Sequence, residues 1–162
     1  MLWKISNREQ RIRMNLLGVF VNPVLIAGLL SWGIAQAIKV PLDYFTTKAW
    51  NWALLLRAGG MPSSHSALVA ATAHAIGLFV GFETPLFALS LAIAIIVIYD
   101  ATGIRRQAGQ HAEIINAMIR DLAHGHPLKQ QQLREVLGHT PLEALAGALL
   151  GLAVAQLIWF LG

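Results

Sequence analysis

Two short segments carry residue types suited to chemistry on a phosphate: Gly59-Gly60-Met61-Pro62-Ser63-Ser64-His65-Ser66 and Arg134-Glu135-Val136-Leu137-Gly138-His139-Thr140-Pro141-Leu142-Glu143. Each lies where a polar stretch gives way to an apolar one, as at the start of a membrane helix. A helix N-terminus leaves backbone N–H groups unpaired and presents the positive end of the helix dipole, which suits an anion, and glycines let the backbone approach it closely. Each segment carries a histidine. Arginine accompanies both, Arg57 just before the first and Arg134 inside the second, and a planar guanidinium matches phosphate oxygens. Two such helix starts on one side of a protein would enclose a phosphate.

The elements that must position these residues are membrane helices. Of 162 residues, 56% are hydrophobic and 12% charged, against about 25% charged in ordinary soluble proteins. A soluble fold cannot cover that much apolar surface, so the chain is expected to be integral to a membrane. Its net charge of +4 is spread through short connections. That distribution suits phosphates or lipid headgroups, and the few aromatics beside the basic residues speak against nucleic acid. The absence of cysteine excludes disulfides, thiolate metal sites and a cysteine nucleophile. Residues 1–13 are polar and the apolar run after them is too long for a signal-peptide core, so no cleaved leader is expected.

The pattern predicts an all-α, membrane-embedded helical bundle with about four spans and interfacial amphipathic helices, in a single domain over residues 1–162. Residues 14–38 carry no charge until Lys39, and about 20 apolar residues cross the roughly 30 Å hydrocarbon layer. That first span is expected to start near Asn22-Pro23. Residues 41–57, with Trp50 and Trp52, read as a short interfacial helix. Further spans are expected at residues 66–82, 86–99 and 144–161. Between the last two, Ile114, Ile115, Met118, Ile119 and Leu122 recur at helical spacing opposite Glu113, Asn116, Arg120 and Asp121, which predicts an amphipathic surface helix. Gly147 and Gly151 stand four apart and would let a neighbouring helix come close. Four spans place both polar connections, and so both motifs, on the same side of the membrane.

With the motifs and spans in place, the chain resembles the type 2 phosphatidic acid phosphatase superfamily, which includes vanadium haloperoxidases, and most closely its divergent, small bacterial and plastid branch. The family pattern runs from a lysine and an arginine to Pro-Ser-Gly-His, and then to an arginine followed by a histidine with an acid four residues later. Pro62-Ser63-Ser64-His65 is similar to the second part, and Arg134, His139 and Glu143 to the third, with Ser64 in place of glycine and Glu143 in place of aspartate. Residues 100–109, Asp100 to Gly109, resemble a segment peculiar to the divergent branch.

The resemblance implies a metal-independent, cofactor-free phosphatase in a bacterial inner membrane or plastid-type membrane, inhibited by vanadate and acting on a lipid phosphate. His139 would attack phosphorus to give a phosphohistidine, Glu143 would orient that imidazole, and His65 would protonate the leaving alkoxide. Arg57, Arg134, Ser63, Ser64 and Lys48 would hold phosphoryl oxygens. Apart from the resemblance, Asp100 ends the third span on the same side and reads either as a paired interfacial charge or as a support for Arg105 or Arg106 at the site. The expected partners are membrane lipid and the lipid phosphate substrate, and the short Gly- and Ala-rich spans allow a homodimer. The alternative is a membrane protein that binds or transports an anionic lipid without cleaving it.

Plainer readings stand beside these. Thr140-Pro141-Leu142-Glu143 is also a capping box, so Glu143 can tie off a helix, alone or while serving His139. Ser63 or Ser64 can be an ordinary N-cap. His74 follows His65 by nine residues, half a turn away at about 100° per residue, and reads as a packing histidine. His111, His124 and His126 lack a third ligand set for a metal.

Overall fold

The computed structural model describes residues 16–56, 59–123 and 139–162, and these form helices without a strand. A 3-10 turn, Leu16–Val21, leads into α1 (Pro23–Thr47). Asn22 opens that helix: its Oδ1 accepts from the Val24 and Leu25 amides at 3.0 and 3.2 Å, and Pro23 fills the first helical position, where an N–H would have no partner.

α1 does not end near Ile38. It continues through Pro41 and closes at Lys48, whose φ of 59° is left-handed and whose N–H donates to the Tyr44 carbonyl at 2.9 Å. A proline removes one backbone donor, and the long apolar turns before Pro41 keep their own hydrogen bonds, so the helix survives. The separate interfacial helix expected over residues 41–57 is therefore replaced by the last turns of α1 and a 3-10 turn, Trp52–Leu55. Tyr44, Trp50 and Trp52 stack with ring centroids 4.5 and 5.6 Å apart, an aromatic cluster of the kind favoured at a membrane surface.

Ser63 caps α2 (Ser64–Phe79), its Oγ accepting from the Ser66 amide at 3.3 Å. Thr84 caps α3 (Pro85–Thr102) in the same way through the Phe87 amide, again with proline at the first position. Gly103 separates α3 from α4 (Ile104–Ala123), which leaves Ile114, Ile115, Met118 and Leu122 exposed on one face and turns Asn116 inward. α5 (Pro141–Leu161) begins at the Thr140 cap.

α2 is the centre, packed against α1, α3 and α5. Small residues make this possible: Ala27, Ala71, Ala75 and Ala155 are fully buried where α1, α2 and α5 meet. A Cβ on Gly147 would strike the Ser63 backbone and one on Gly151 the Ala67 backbone, so α5 lies directly against the α2 main chain. Among the described residues, three helices can cross a membrane by length and composition: α1, the α3 part of Pro85–Arg120, and α5. α2, with 16 residues, is about 24 Å long at 1.5 Å per residue and falls short of the hydrocarbon thickness alone. Protein covers it on three sides. The chain is an all-α integral membrane bundle, with α1 and α3 running towards one end and α2 and α5 starting from it.

Candidate functional site

That shared end brings the two motifs together. The Ser63 amide donates to the Glu143 carbonyl at 3.0 Å, joining the starts of α2 and α5, and the His139 amide donates to the Ala101 carbonyl at 3.0 Å, tying the second motif to the last turn of α3. Three helix ends thus fix the position of one histidine.

His139 is 6% exposed. Its Nδ1 lies 3.1 Å from Glu143 Oε2. The same oxygen accepts from the Thr140 amide at 3.0 Å while Thr140 Oγ1 accepts from the Glu143 amide at 3.3 Å. The capping box and the orientation of His139 are therefore both real, and one carboxylate oxygen serves both. A neutral imidazole that donates Nδ1–H to the carboxylate has its lone pair on Nε2, the nitrogen a nucleophile would use.

Ser63, Ser64 and Ser66 are buried at the start of α2. Ser63 Oγ accepts from the Ser66 amide and, at 3.0 Å, from the Ser66 hydroxyl, so its lone pairs serve the cap while its O–H can still donate. What this segment can offer an anion is the backbone of the first turn together with the serine hydroxyls. His65 stands in that turn, half-buried. Val69, Thr72 and Ile76 follow it along the same face of α2, and with Leu89, Ser90 and Ile93 of α3 they line an apolar groove of about 340 Å³. The Thr72 and Ser90 hydroxyls both donate to carbonyls of their own helices at 2.8 Å, so the groove presents no unsatisfied polar group.

Among the described residues a cation at this end is Lys39, which the sequence reading did not place in the site. It is 3% exposed. Its Nζ donates to Gln36 Oε1, its stem passes Gly60, and the Glu143 carboxylate lies within electrostatic reach. The legible signal was a charge three residues beyond a glutamine at the end of an otherwise uncharged run, because a polar pair inside a membrane helix faces protein rather than lipid. Lys48 is not brought to the site. It is the exposed cap of α1, its Nζ 5.9 Å from the Phe45 ring centroid, and nine residues put it about 13 Å further along the helix axis than Lys39.

Asp100 lies in the last turn of α3, next to the carbonyl that holds His139. Arg105 and Arg106 lie in the first turn of α4, and their side chains are outside the described ones. Arg57 and Arg134 lie outside the described residues, as do His124 and His126. His74 Nε2 is 3.1 Å from Gln156 Oε1 on α5, the packing histidine expected, and His111 is exposed on α4.

A buried histidine held by a carboxylate is thus set between helix starts at one end of an all-α membrane bundle. The chain belongs to the Divergent PAP2 family, whose pattern matches residues 20–154. It is similar to an uncharacterized membrane protein, YuiD, of Bacillus subtilis (strain 168), with 37% identity over 151 residues, covering 86% of this chain and 96% of that one. No solved structure matches it.

Proposed function

We propose that the protein is a metal-independent phosphatase that removes phosphate from a lipid phosphate at the membrane surface. The observation that carries this reading is the His139 Nδ1 to Glu143 Oε2 pair at 3.1 Å. In the reaction, His139 Nε2 attacks phosphorus as the bond from phosphorus to the ester oxygen breaks, and His65 supplies the proton to the departing alkoxide. Water then attacks the phosphohistidine, giving its proton to His65, and the P–N bond breaks to release inorganic phosphate and restore both histidines. Glu143 holds the imidazole and stabilises the positive charge it gains.

Phosphoryl transfer needs positive groups around the equatorial oxygens more than it needs covalent help. Lys39 and the first-turn amides of α2 are suited to that task, and Arg57 and Arg134 are assigned to it by the family resemblance. A lipid is favoured over a soluble ester because the apolar groove runs down α2 from the face that bears His65, where a hydrocarbon tail would lie with its head at the interface.

A non-catalytic lipid binder or transporter would use the same helix starts, and the sharing of Glu143 Oε2 with the Thr140 amide fits a simple cap. The two readings separate in one assay. Purified protein with excess chelator is offered a panel of lipid phosphates, with His139→Ala alongside. Phosphate release by the wild type alone supports the phosphatase, and its absence from every lipid, with both proteins folded, supports the binder.

A further inference from the structure

Gln36 makes two bonds that meet at the candidate site. Its Nε2 donates to the Leu55 carbonyl at 3.0 Å, and its Oε1 accepts from Lys39 Nζ one helical turn further along α1. Both side chains are buried, Gln36 at 8% exposure and Lys39 at 3%. An amide in this position has its oxygen and one N–H committed, to groups that come from different elements, α1 and the 3-10 turn Trp52–Leu55.

An ammonium on a four-carbon stem is a flexible point charge with three donors. Without another partner it would be drawn towards the Glu143 carboxylate within its electrostatic reach, the group that must orient His139. Gln36 supplies a neutral acceptor that occupies one of the three donors and leaves the others for phosphoryl oxygens. Because the opposite end of the same amide grips the Leu55 carbonyl, the position of the cation is set by the surface turn that carries Trp52.

We infer that Gln36 is a positioning residue, which holds the Lys39 ammonium off Glu143 and on the phosphoryl site. The inference rests on the phosphate-binding reading of that site given under Proposed function. It differs from the alternative that Gln36 merely staples the surface turn to α1, because a staple acts whether or not Lys39 carries a charge.

A double-mutant cycle distinguishes these, read as orthovanadate affinity of the purified full-length protein in detergent, which needs no turnover. Gln36→Leu is expected to weaken vanadate binding about tenfold, the scale of one hydrogen bond to a charged group. In a Lys39→Met background the same change is expected to weaken it no further. Equal losses in both backgrounds, or no loss from Gln36→Leu alone, would overturn the inference. If Gln36→Leu does not fold, Gln36→Asn, which keeps the amide but shortens its reach, is run through the same cycle. Phosphate release from the lipid panel is measured on the same preparations. Coupling without any release would keep the role of Gln36 and remove the phosphatase reading, release without coupling would do the reverse, and no vanadate binding by the wild type would overturn the inference.

Discussion

The Ser63 amide donates to the Glu143 carbonyl across 3.0 Å, so the two helix starts that carry the candidate chemistry are one hydrogen-bonded unit. Behind that bond, the missing side chain of Gly147 lets α5 lie on the Ser63 backbone. Gly147→Ala puts a methyl group where main chain stands, and main chain cannot turn aside as a flexible side chain can. The variant is expected to lose about 1–3 kcal/mol of stability, the usual scale of overpacking, together with activity. Gly33→Ala on α1 is the control: nothing lies within 4 Å of its added Cβ, so it is expected to be neutral or to gain up to about 1 kcal/mol from helix propensity. Thermal unfolding in detergent checks both.

Glu143 does two things with one oxygen, and substitutions divide them. Thr140→Ala removes the reciprocal half of the cap and is expected to cost about 1 kcal/mol with little change in turnover. Glu143→Gln leaves an oxygen able to accept from the Thr140 amide but removes the charge beside His139. It is expected to lower kcat at least about a hundredfold at near-native stability, in the range of a lost acid–base partner. Turnover and unfolding measured on the same samples decide it, and equal effects of the two variants on kcat would contradict the orienting role.

The two lysines of α1 are expected to behave oppositely. Lys39 is buried within electrostatic reach of Glu143, whereas Lys48 caps the helix in the open. Lys39→Met is expected to weaken vanadate inhibition by about tenfold or more, the loss of a charged hydrogen bond, and Lys48→Ala to leave it unchanged. Vanadate titration of activity reads both directly.

Much of this arrangement was legible in the sequence because it follows from local rules. The start of α1 near Asn22-Pro23, the cap at Thr140, the proline at the start of α5, the glycines of α5 and the face on which His74 lies depend on residues within a turn or two of each other, and such patterns carry over into structure without knowledge of the rest of the fold. The end of α1 was not legible, since Pro41 and the polar residues after it read locally as a break while the helix runs on to Thr47. Lys39 was missed for a related reason. Gln36, three residues before it, is a local signal of a buried polar pair, but Glu143, more than a hundred residues away in the chain, is what ties that pair to the site. The two bonds that assemble the site, from Ser63 to Glu143 and from His139 to Ala101, run between main-chain atoms and leave no mark on residue type.

The apolar groove makes a claim about substrate. Ser90→Phe would fill the space between α2 and α3 with a ring while leaving the histidine end untouched. KM for a long-chain lipid phosphate is expected to rise, because the tail loses its place between the helices, while hydrolysis of a short water-soluble phosphomonoester proceeds as in the wild type. Equal loss for both substrates would show that the ring had disturbed the bundle rather than the tail.

The covalent intermediate is the core of the proposal, and it can be seen directly. A lipid phosphate carrying a radioactive phosphoryl group is mixed with the purified protein in excess chelator and quenched in alkaline detergent, where phosphohistidine survives. The protein is then digested and the labelled peptide is identified. The account predicts label on the peptide containing His139, lost during a chase with unlabelled substrate and absent from His139→Ala. Phosphate release that continues in His139→Ala, or release by the wild type with no label on the protein, would contradict it.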